Sequence, residues 1–376
     1  MVSFYVIIIS VIYMRGLYIH IPFCKRLCSF CDFPKKINQK ETVIDDYLKK
    51  LTSEIIYLEE KDINTIYIGG GTPNSLSLEQ LEYLFRSIKY KGFKDIYEYT
   101  IETNYELITL EQIQLFKKYN INRVSIGVQT LNKDIADSIN RYCNYEELKE
   151  KIKLLIENGI TNINLDFIFG LPNETIEDVR YNLECIKQLD ITHISYYSLI
   201  LEDRTVLSHK IQRNLVNLPS DDLTSEMYKM IINYMKNLGF HHYEISNFAL
   251  KGFESKHNMI YWSLDEYIGL GLSSASYYQN KRIYNSQLMI NYMFNNDIMK
   301  EEISLDVSKG EYFWLGLRMI DGVSINKYTQ KYNSDPFNDF KIEELINKKL
   351  LEIKNDYLKL TELGLEHGNY VFTYFI

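Results

Sequence analysis

Five cysteines in 376 residues are too few for a disulfide scaffold. No block of lysine or arginine interrupts the chain, and 42 basic against 50 acidic residues leave a net charge of −8. That removes the electrostatic footprint of a nucleic-acid partner. The apolar run from Met1 to Tyr13 falls short of the ~20 residues a membrane-spanning helix needs. It also lacks the basic start and small-residue cleavage site of a secretory signal. Internal repeats and low-complexity linkers are missing as well. What remains is a cytoplasmic globular chain, 46% hydrophobic, long enough for one large domain and a smaller one. Residues 1–14 read as an apolar extension with a mis-assigned start, because Met14 stands just before the first strand-like run and is the expected physiological start. In the cytoplasm thiols stay reduced and available to iron.

Short β-rich runs alternate with longer amphipathic stretches. Leu17–Ile21, Thr65–Gly69, Glu98–Thr103, Arg123–Gln129, Asn162–Phe169 and His193–Leu199 read as near-continuous apolar strands. Helices are expected near 42–58, 77–88, 109–119, 145–157 and 175–188. The alternation predicts the α/β class, with a parallel sheet covered by helices: a partial (β/α)6 barrel over 15–240. Chemistry on such sheets collects at the C-terminal ends of the strands. Cys24, Gly69–Thr72, Glu102, Gln129 and Asp166 all fall there. Beyond about residue 205 the alternation stops. A helix near 221–237 leads into a connecting segment, 241–300. Over 301–376, helices near 306–320, 324–332 and 341–348 precede strands Leu351–Lys354 and Tyr357–Leu360, joined at Asn355-Asp356, with Thr361 capping a last helix. This pattern predicts a small α+β, winged-helix-like C-terminal domain, a docking or lid element rather than a DNA reader.

The few cysteines are not evenly spread. Cys24, Cys28 and Cys31 stand within eight residues. Three thiolates on one loop hold three irons of a [4Fe–4S] cube and leave the fourth iron open. A structural zinc site needs four closed ligands, usually in two pairs, and no second pair exists here. A redox dithiol would use Cys28 and Cys31 alone. The cluster is the favoured reading, and the other two stay open. Cys143 and Cys185 are isolated and read as small core or half-buried residues.

The run Tyr18-Ile-His20-Ile-Pro-Phe-Cys24-x3-Cys28-Ser-Phe30-Cys31-Asp-Phe33 resembles the signature of radical S-adenosylmethionine (SAM) enzymes, and more narrowly the oxygen-independent coproporphyrinogen III oxidase branch. The resemblance implies a [4Fe–4S] cluster on the three cysteines, with SAM chelated to its open iron. It also implies a reductant such as flavodoxin or ferredoxin, and the radical-SAM barrel as the fold. By the same resemblance Tyr18, Gly70 and Glu102 hold the cluster-bound SAM and Phe30 packs beside the cluster. Gly71, Thr72, Gln129, Arg141 and Asp166 would face SAM, or the space a second SAM would fill. Plainer readings stand beside these. A glycine run can be only a tight turn, and Glu102 only a surface carboxylate. Arg141 and Asp166 can pair across the barrel mouth, and Phe30 and Phe33 can be core.

Two features narrow the resemblance. The oxidase carries a further cysteine two residues after the third, where this chain has Phe33. The segment Tyr243-Glu-Ile-Ser-Asn-Phe-Ala249, followed by His257-Asn258-x-x-Tyr261-Trp262, resembles HemW-type haem chaperones, whose HNxxYW motif is associated with haem. His257 is then implied as the haem iron's ligand, with Tyr261 and Trp262 as flat apolar surface for the macrocycle. There are departures: Ser255 stands where many relatives have a cysteine, and Gly269-Leu-Gly271 is followed by no histidine. The expected function is that of a radical-SAM-type haem chaperone. It would pass haem to an acceptor haemoprotein, membrane-associated ones included. The alternative is porphyrin biosynthesis proper, the decarboxylation of two propionates of coproporphyrinogen III.

Overall fold

A computed structural model describes residues 14–37 and 39–376, so the apolar stretch Met1–Tyr13 lies outside the described residues. Six strands form where the alternation places them: β1 Gly16–Ile21, β2 Thr65–Gly70, β3 Glu98–Thr103, β4 Arg123–Gln129, β5 Asn162–Phe169 and β6 His193–Ser198. They pair in parallel and in chain order. The intervening helices are α1 Glu41–Tyr57, α2 Leu78–Lys91, α3 Leu110–Lys118, α4 Lys133–Ser138, α5 Tyr145–Glu157 and α6 Ile176–Ile186.

The strands are not near-continuously apolar, and that expectation is corrected. Leu17, Ile19, Ile66, Ile68, Ile101, Val124, Ile126, Leu165, Phe167 and Ile194 all join one core beneath the helices. The positions between them are Tyr18, Thr65, Tyr67, Glu98, Thr100, Glu102, Arg123, Ser125, Asn164, Asp166, His193 and Ser195. Successive side chains of a strand point to opposite faces. The helices that alternate with these strands pack on the outer face, so the inner face is free to carry polar groups.

Local sequence sets the helix starts. Ser77 Oγ accepts a hydrogen bond from the Gln80 backbone amide, and Gln80 Oε1 accepts one from the Ser77 backbone amide at 3.1 Å. Thr175 and Asp178 do the same for α6. These reciprocal caps satisfy amides that a helix leaves unpaired. Ser77→Ala is expected to lower unfolding free energy by ~1 kcal/mol in a denaturant titration and to leave the barrel mouth unchanged.

After α7 Val206–Gln212 and α8 Asp221–Asn237, the segment expected to be a connector extends the sheet at both edges. The hairpin β7 His241–Glu244 and β8 Asn247–Ala249 adds antiparallel to β6. Helix α9, Lys256–Trp262, crosses to the other edge, where β9 Tyr267–Leu270 joins β1 in parallel. Strands β10 Ala275–Tyr278, β11 Lys281–Tyr284 and β12 Met299–Glu302 continue antiparallel. The sheet order is β12-β11-β10-β9-β1-β2-β3-β4-β5-β6-β8-β7.

The C-terminal module has its own core, which includes Phe313, Leu317, Tyr328, Leu345 and Leu358. It is built from helices Leu305–Gly316, Ile325–Tyr332 and Ile342–Asn347 and a small sheet of β13 Val323–Ser324, β14 Leu351–Lys354 and β15 Tyr357–Leu360. Asn355 and Asp356 both take positive φ, 49° and 74°, as a two-residue hairpin turn demands. Thr361 Oγ1 accepts from the Gly364 amide and starts the next helix. Met319 bridges to Glu244 of β7, and the Arg318 guanidinium lies 4.8 Å over the Trp262 ring of α9, so the module rests on the barrel's far edge. No helix among the described residues is long and apolar enough to cross a membrane.

Candidate functional site

The cysteine loop leaves β1 and is closed at its neck by a short parallel ladder, Phe23–Cys24 against Lys36–Ile37. Its backbone is pinned from two sides. The Ser29 amide donates to the Ile139 carbonyl at 2.9 Å, the Leu207 amide to the Ser29 carbonyl at 2.8 Å, and the Asn140 side chain to the Leu27 carbonyl at 2.7 Å. Phe30 packs beneath the loop against Ile135, Ile139 and Leu171. Phe33 is 65% exposed, so its plain reading as core is corrected: the loop turns outward after Cys31 and finds no wall to pack on.

The three thiols are free and half-buried. Thr72 Oγ1 donates toward Cys24 Sγ at 3.6 Å and Arg141 Nη1 toward Cys28 Sγ at 3.7 Å, while the Lys35 ammonium caps the Cys31 carbonyl. Burial pushes the Cys24 and Cys31 thiols up, so a metal must displace protons to bind there. No three His, Cys, Asp or Glu side chains among the described residues converge on a point where one metal ion could sit. An iron–sulfur cube does not ask that, since each iron takes its own thiolate. Cys28, Cys31, Lys35 and Arg204 border a cavity of about 430 Å³.

Beside the loop, the end of β2 is stitched to β1. The Gly71 amide donates to the Ile21 carbonyl and the Thr72 amide to the Phe23 carbonyl, both at 2.8 Å. Gly70 has φ 113°, and a methyl there would lie 2.4 Å from the His20 ring, so only glycine fits. The Gly70 amide donates to Glu102 Oε2 at 2.9 Å, and the Tyr67 hydroxyl to Glu102 Oε1 at 2.7 Å. Burial pushes the Glu102 carboxyl up to about 7, against the pull of the Tyr67 hydrogen bond and with Asp166 adding to it. Tyr18 stacks on Tyr67 at 6.2 Å and shares a hydrogen bond with His20 Nδ1 at 2.9 Å.

Arg141 and Asp166 do not pair, which corrects the ion-pair reading. The guanidinium is taken by Asn104 Oδ1 at 2.7 Å, by the Gly127 carbonyl and by Cys28. Asp166 accepts from neutral donors on the inner face, the Ser125 hydroxyl at 2.9 Å and the Asn164 amide at 2.8 Å, and burial raises its carboxyl. Gln129 takes a left-handed φ of 69° at a bulge in β4. Its Oε1 and the Nε of Arg141 are buried without partners. Orphaned polar atoms at a strand-end mouth are what an incoming polar ligand would satisfy, and this donor and acceptor set fits SAM beside a cluster.

His257 sits elsewhere. Glu98 on β3 accepts from the Lys256 amide at 2.8 Å, the His257 amide at 3.2 Å and the Ser255 hydroxyl at 3.3 Å, and so holds the start of α9 inside the barrel. The imidazole is 1% exposed, with Nδ1 on Thr65 Oγ1 at 2.7 Å and Nε2 on the Tyr261 hydroxyl at 2.8 Å. Burial, with the Arg123 charge adding, pushes it down to about 3, so it is neutral. Both ring nitrogens are taken, and this arrangement does not fit an axial ligand to haem iron. The other end of α9 is different. Tyr261 and Trp262 line a cavity of about 330 Å³ with Tyr267, Tyr277, Arg282 and Trp314. Trp262 Nε1 and Arg282 Nε lack partners there, although Arg282 also pairs with Glu311 at 2.6 Å.

The structure therefore gathers most of the sequence-derived candidates, though not His257, into two adjacent groups at the mouth. Cys24, Cys28, Cys31, Thr72 and Arg141 form one, and Tyr18, Gly70 and Glu102 the other. Tyr67, Asn104, Glu98 and Arg123 were not singled out from the sequence. A signal exists for Glu98 and Arg123: polar residues alternate with apolar ones through the first positions of β3 to β6, which marks a lined interior.

Comparison with known proteins bears on the family and the fold. The pattern described as "Radical SAM superfamily" matches residues 18–186, and that of the "HemN C-terminal domain" matches 310–367. The "Heme chaperone HemW" of Lactococcus lactis is 36% identical, covering 96% of this chain and 96% of its own. That of Bacillus subtilis is also 36% identical, covering 96% and 99%. The solved coproporphyrinogen III oxidase (HemN) of Escherichia coli superposes with a TM-score of 0.83 over 96% of this chain and 90% of its own. At 20% identity that match speaks for the fold alone.

Proposed function

Because the chain belongs to the radical SAM superfamily and, within it, to the HemW family of haem chaperones, we propose that it binds a [4Fe–4S] cluster, SAM and haem and hands haem to an acceptor haemoprotein. Cys24, Cys28 and Cys31 would hold the cluster. Thr72 and Arg141, already aimed at two of the sulfurs, stabilise thiolate charge by hydrogen bonding. Phe30, packed under the loop, keeps water from one side. At the strand ends, Gly70, Gly71 and Glu102 meet the polar end of SAM, while Gln129 and Arg141 satisfy their free atoms on it. Tyr18 and Asp166 line the space below. When bound, the cluster supplies SAM with a single electron drawn from a reductant such as flavodoxin or ferredoxin.

Haem is the cargo, and the cavity at the end of α9 suits it better than His257 does. Tyr261, Trp262 and Trp314 offer flat apolar walls for a macrocycle, and Arg282 offers a fork for a propionate. In this reading residues 15–240 carry the cluster and SAM, 241–300 present the haem face, and 301–376 close it from the side and meet the acceptor in the cytoplasm. One observation carries the proposal: the similarity to haem chaperones runs end to end, both modules included. Anaerobic reconstitution with iron and sulfide, followed by haem titration and by incubation with coproporphyrinogen III, SAM, a reductant for the cluster and an electron acceptor, tests it. The expected result is a brown cluster protein with a haem Soret band and no turnover. Formation of protoporphyrinogen IX would overturn it in favour of the oxidase.

A further inference from the structure

The histidine of the HNxxYW segment stands under the SAM site. Its ring stacks on Tyr67 at 5.2 Å and 27°, and Tyr67 stacks in turn on Tyr18. The Tyr67 hydroxyl is what holds Glu102 Oε1, and the Gly70 amide holds the other oxygen. The imidazole is fixed from three directions: by Thr65, one strand position below Tyr67 on the same face of β2; by Tyr261, one turn along α9; and by Gly16 of β1. A methyl at Gly16 would come within 3.0 Å of His257 Cε1, so the histidine fills the gap that this glycine leaves on the inner face. Glu98, four residues before Glu102 on β3, anchors the backbone of His257 itself. One strand thus carries both the carboxylate at the mouth and the carboxylate that seats the floor.

We propose that His257 is a positioning residue of the SAM site, which sets Tyr67 and through it Glu102, and not a ligand of haem iron. The inference rests on the reading of Glu102 as a SAM-binding carboxylate. It assigns the two ends of α9 to different ligands. The first turn faces the barrel and serves SAM, and the last residue, Trp262, faces the aromatic cavity. A stacked ring with two hydrogen bonds has one allowed orientation, and that is what a buried tyrosine hydroxyl 2.7 Å from a carboxylate needs from its neighbour.

Reconstituted wild type, His257→Ala and His257→Gln are titrated with SAM by equilibrium dialysis and, separately, with haem by absorbance. His257→Ala is expected to weaken SAM binding roughly tenfold and to blunt the change SAM makes in the EPR spectrum of the reduced cluster. His257→Gln, whose amide can reach Thr65 or Tyr261, should restore much of both. The haem Soret band should be the same in all three. A Soret band lost in His257→Ala, or SAM binding unchanged in it, overturns the inference. If His257→Ala does not fold, Thr65→Val removes one partner of the ring, and unchanged SAM affinity in that variant is equally decisive against it. Wild type that takes up haem but no SAM would overturn the SAM reading and this inference together. Wild type that binds both, beside an indifferent His257→Ala, would overturn this inference alone.

Discussion

Cys28→Ser protein reconstituted anaerobically with iron and sulfide should stay colourless and give no cluster EPR signal after reduction, whereas Cys143→Ser and Cys185→Ser should match wild type in both. The loss is close to all-or-none. An alcohol oxygen does not ionise to replace a thiolate, and two remaining thiolates cannot hold a cube on a loop this short. Cys28 is the sharpest choice of the three because Arg141 donates toward its sulfur and the loop on either side of it is pinned to the chain after α4. Cys185 is buried in α6 and Cys143 is half-buried before α5, both outside this loop. Apoprotein unfolding should be nearly the same in Cys28→Ser and wild type, because the thiol is only partly buried and contributes little apolar contact. That equality separates loss of the cluster from loss of the fold. A Cys28→Ser protein with wild-type iron content and an unaltered EPR signal would remove the thiol triad as the cluster's anchor. Zinc in place of iron in protein as isolated would revive the structural-metal reading of the same residues.

Much of this arrangement can be read along the chain, because its causes are local. Strands β3, β4 and β5 run Glu98–Thr103, Arg123–Gln129 and Asn162–Phe169, the bounds that the turn residues and apolar runs imply. The cysteine spacing and the Asn355-Asp356 turn are local signals too. What stayed hidden depends on distant partners. The last two strands of the sheet, Lys281–Tyr284 and Met299–Glu302, are largely charged residues and tyrosine, exposed or half-buried, with no period to betray them. Arg141 and Asp166 look complementary in a list of residues, but each spends its hydrogen bonds on closer neutral groups. The direction of His257 is the clearest case. As letters, His-Asn-x-x-Tyr-Trp offers an imidazole beside two aromatic rings. The carboxylate of Glu98, 159 residues earlier, holds the backbone of His257, and Thr65 on β2 takes its ring nitrogen, and these distant partners turn the imidazole into the barrel.

Glu102→Gln should move two properties in opposite directions. In the apoprotein the carboxyl is largely enclosed, and burial lifts it from the ordinary 4.5 to about 7. Between those values the folded chain holds a proton that the unfolded chain has released, so stability falls as pH rises through this window and stays reduced above it. The cost of the charged form at pH 8 is of order 3 kcal/mol. Glutamine keeps one oxygen for the Gly70 amide and turns its NH2 to the Tyr67 hydroxyl, which can rotate to accept, and it brings no charge into the site. The variant should therefore be more stable than wild type at pH 8, by about 1–3 kcal/mol in urea unfolding of apoprotein, and nearly equal to it at pH 4.5. SAM should show the reverse. A buried carboxylate with two donors on it has room for a cationic ammonium or for ribose hydroxyls, and what its burial costs the apoprotein returns on binding. Wild-type affinity should climb with pH up to about 7 and level off. In Glu102→Gln that rise should vanish, with affinity at pH 8 down roughly 10- to 100-fold. If the variant were instead less stable at pH 8, and SAM bound it with the wild-type pH profile, Glu102 would be an ordinary structural acceptor and the mouth of the barrel would owe its selectivity to other groups.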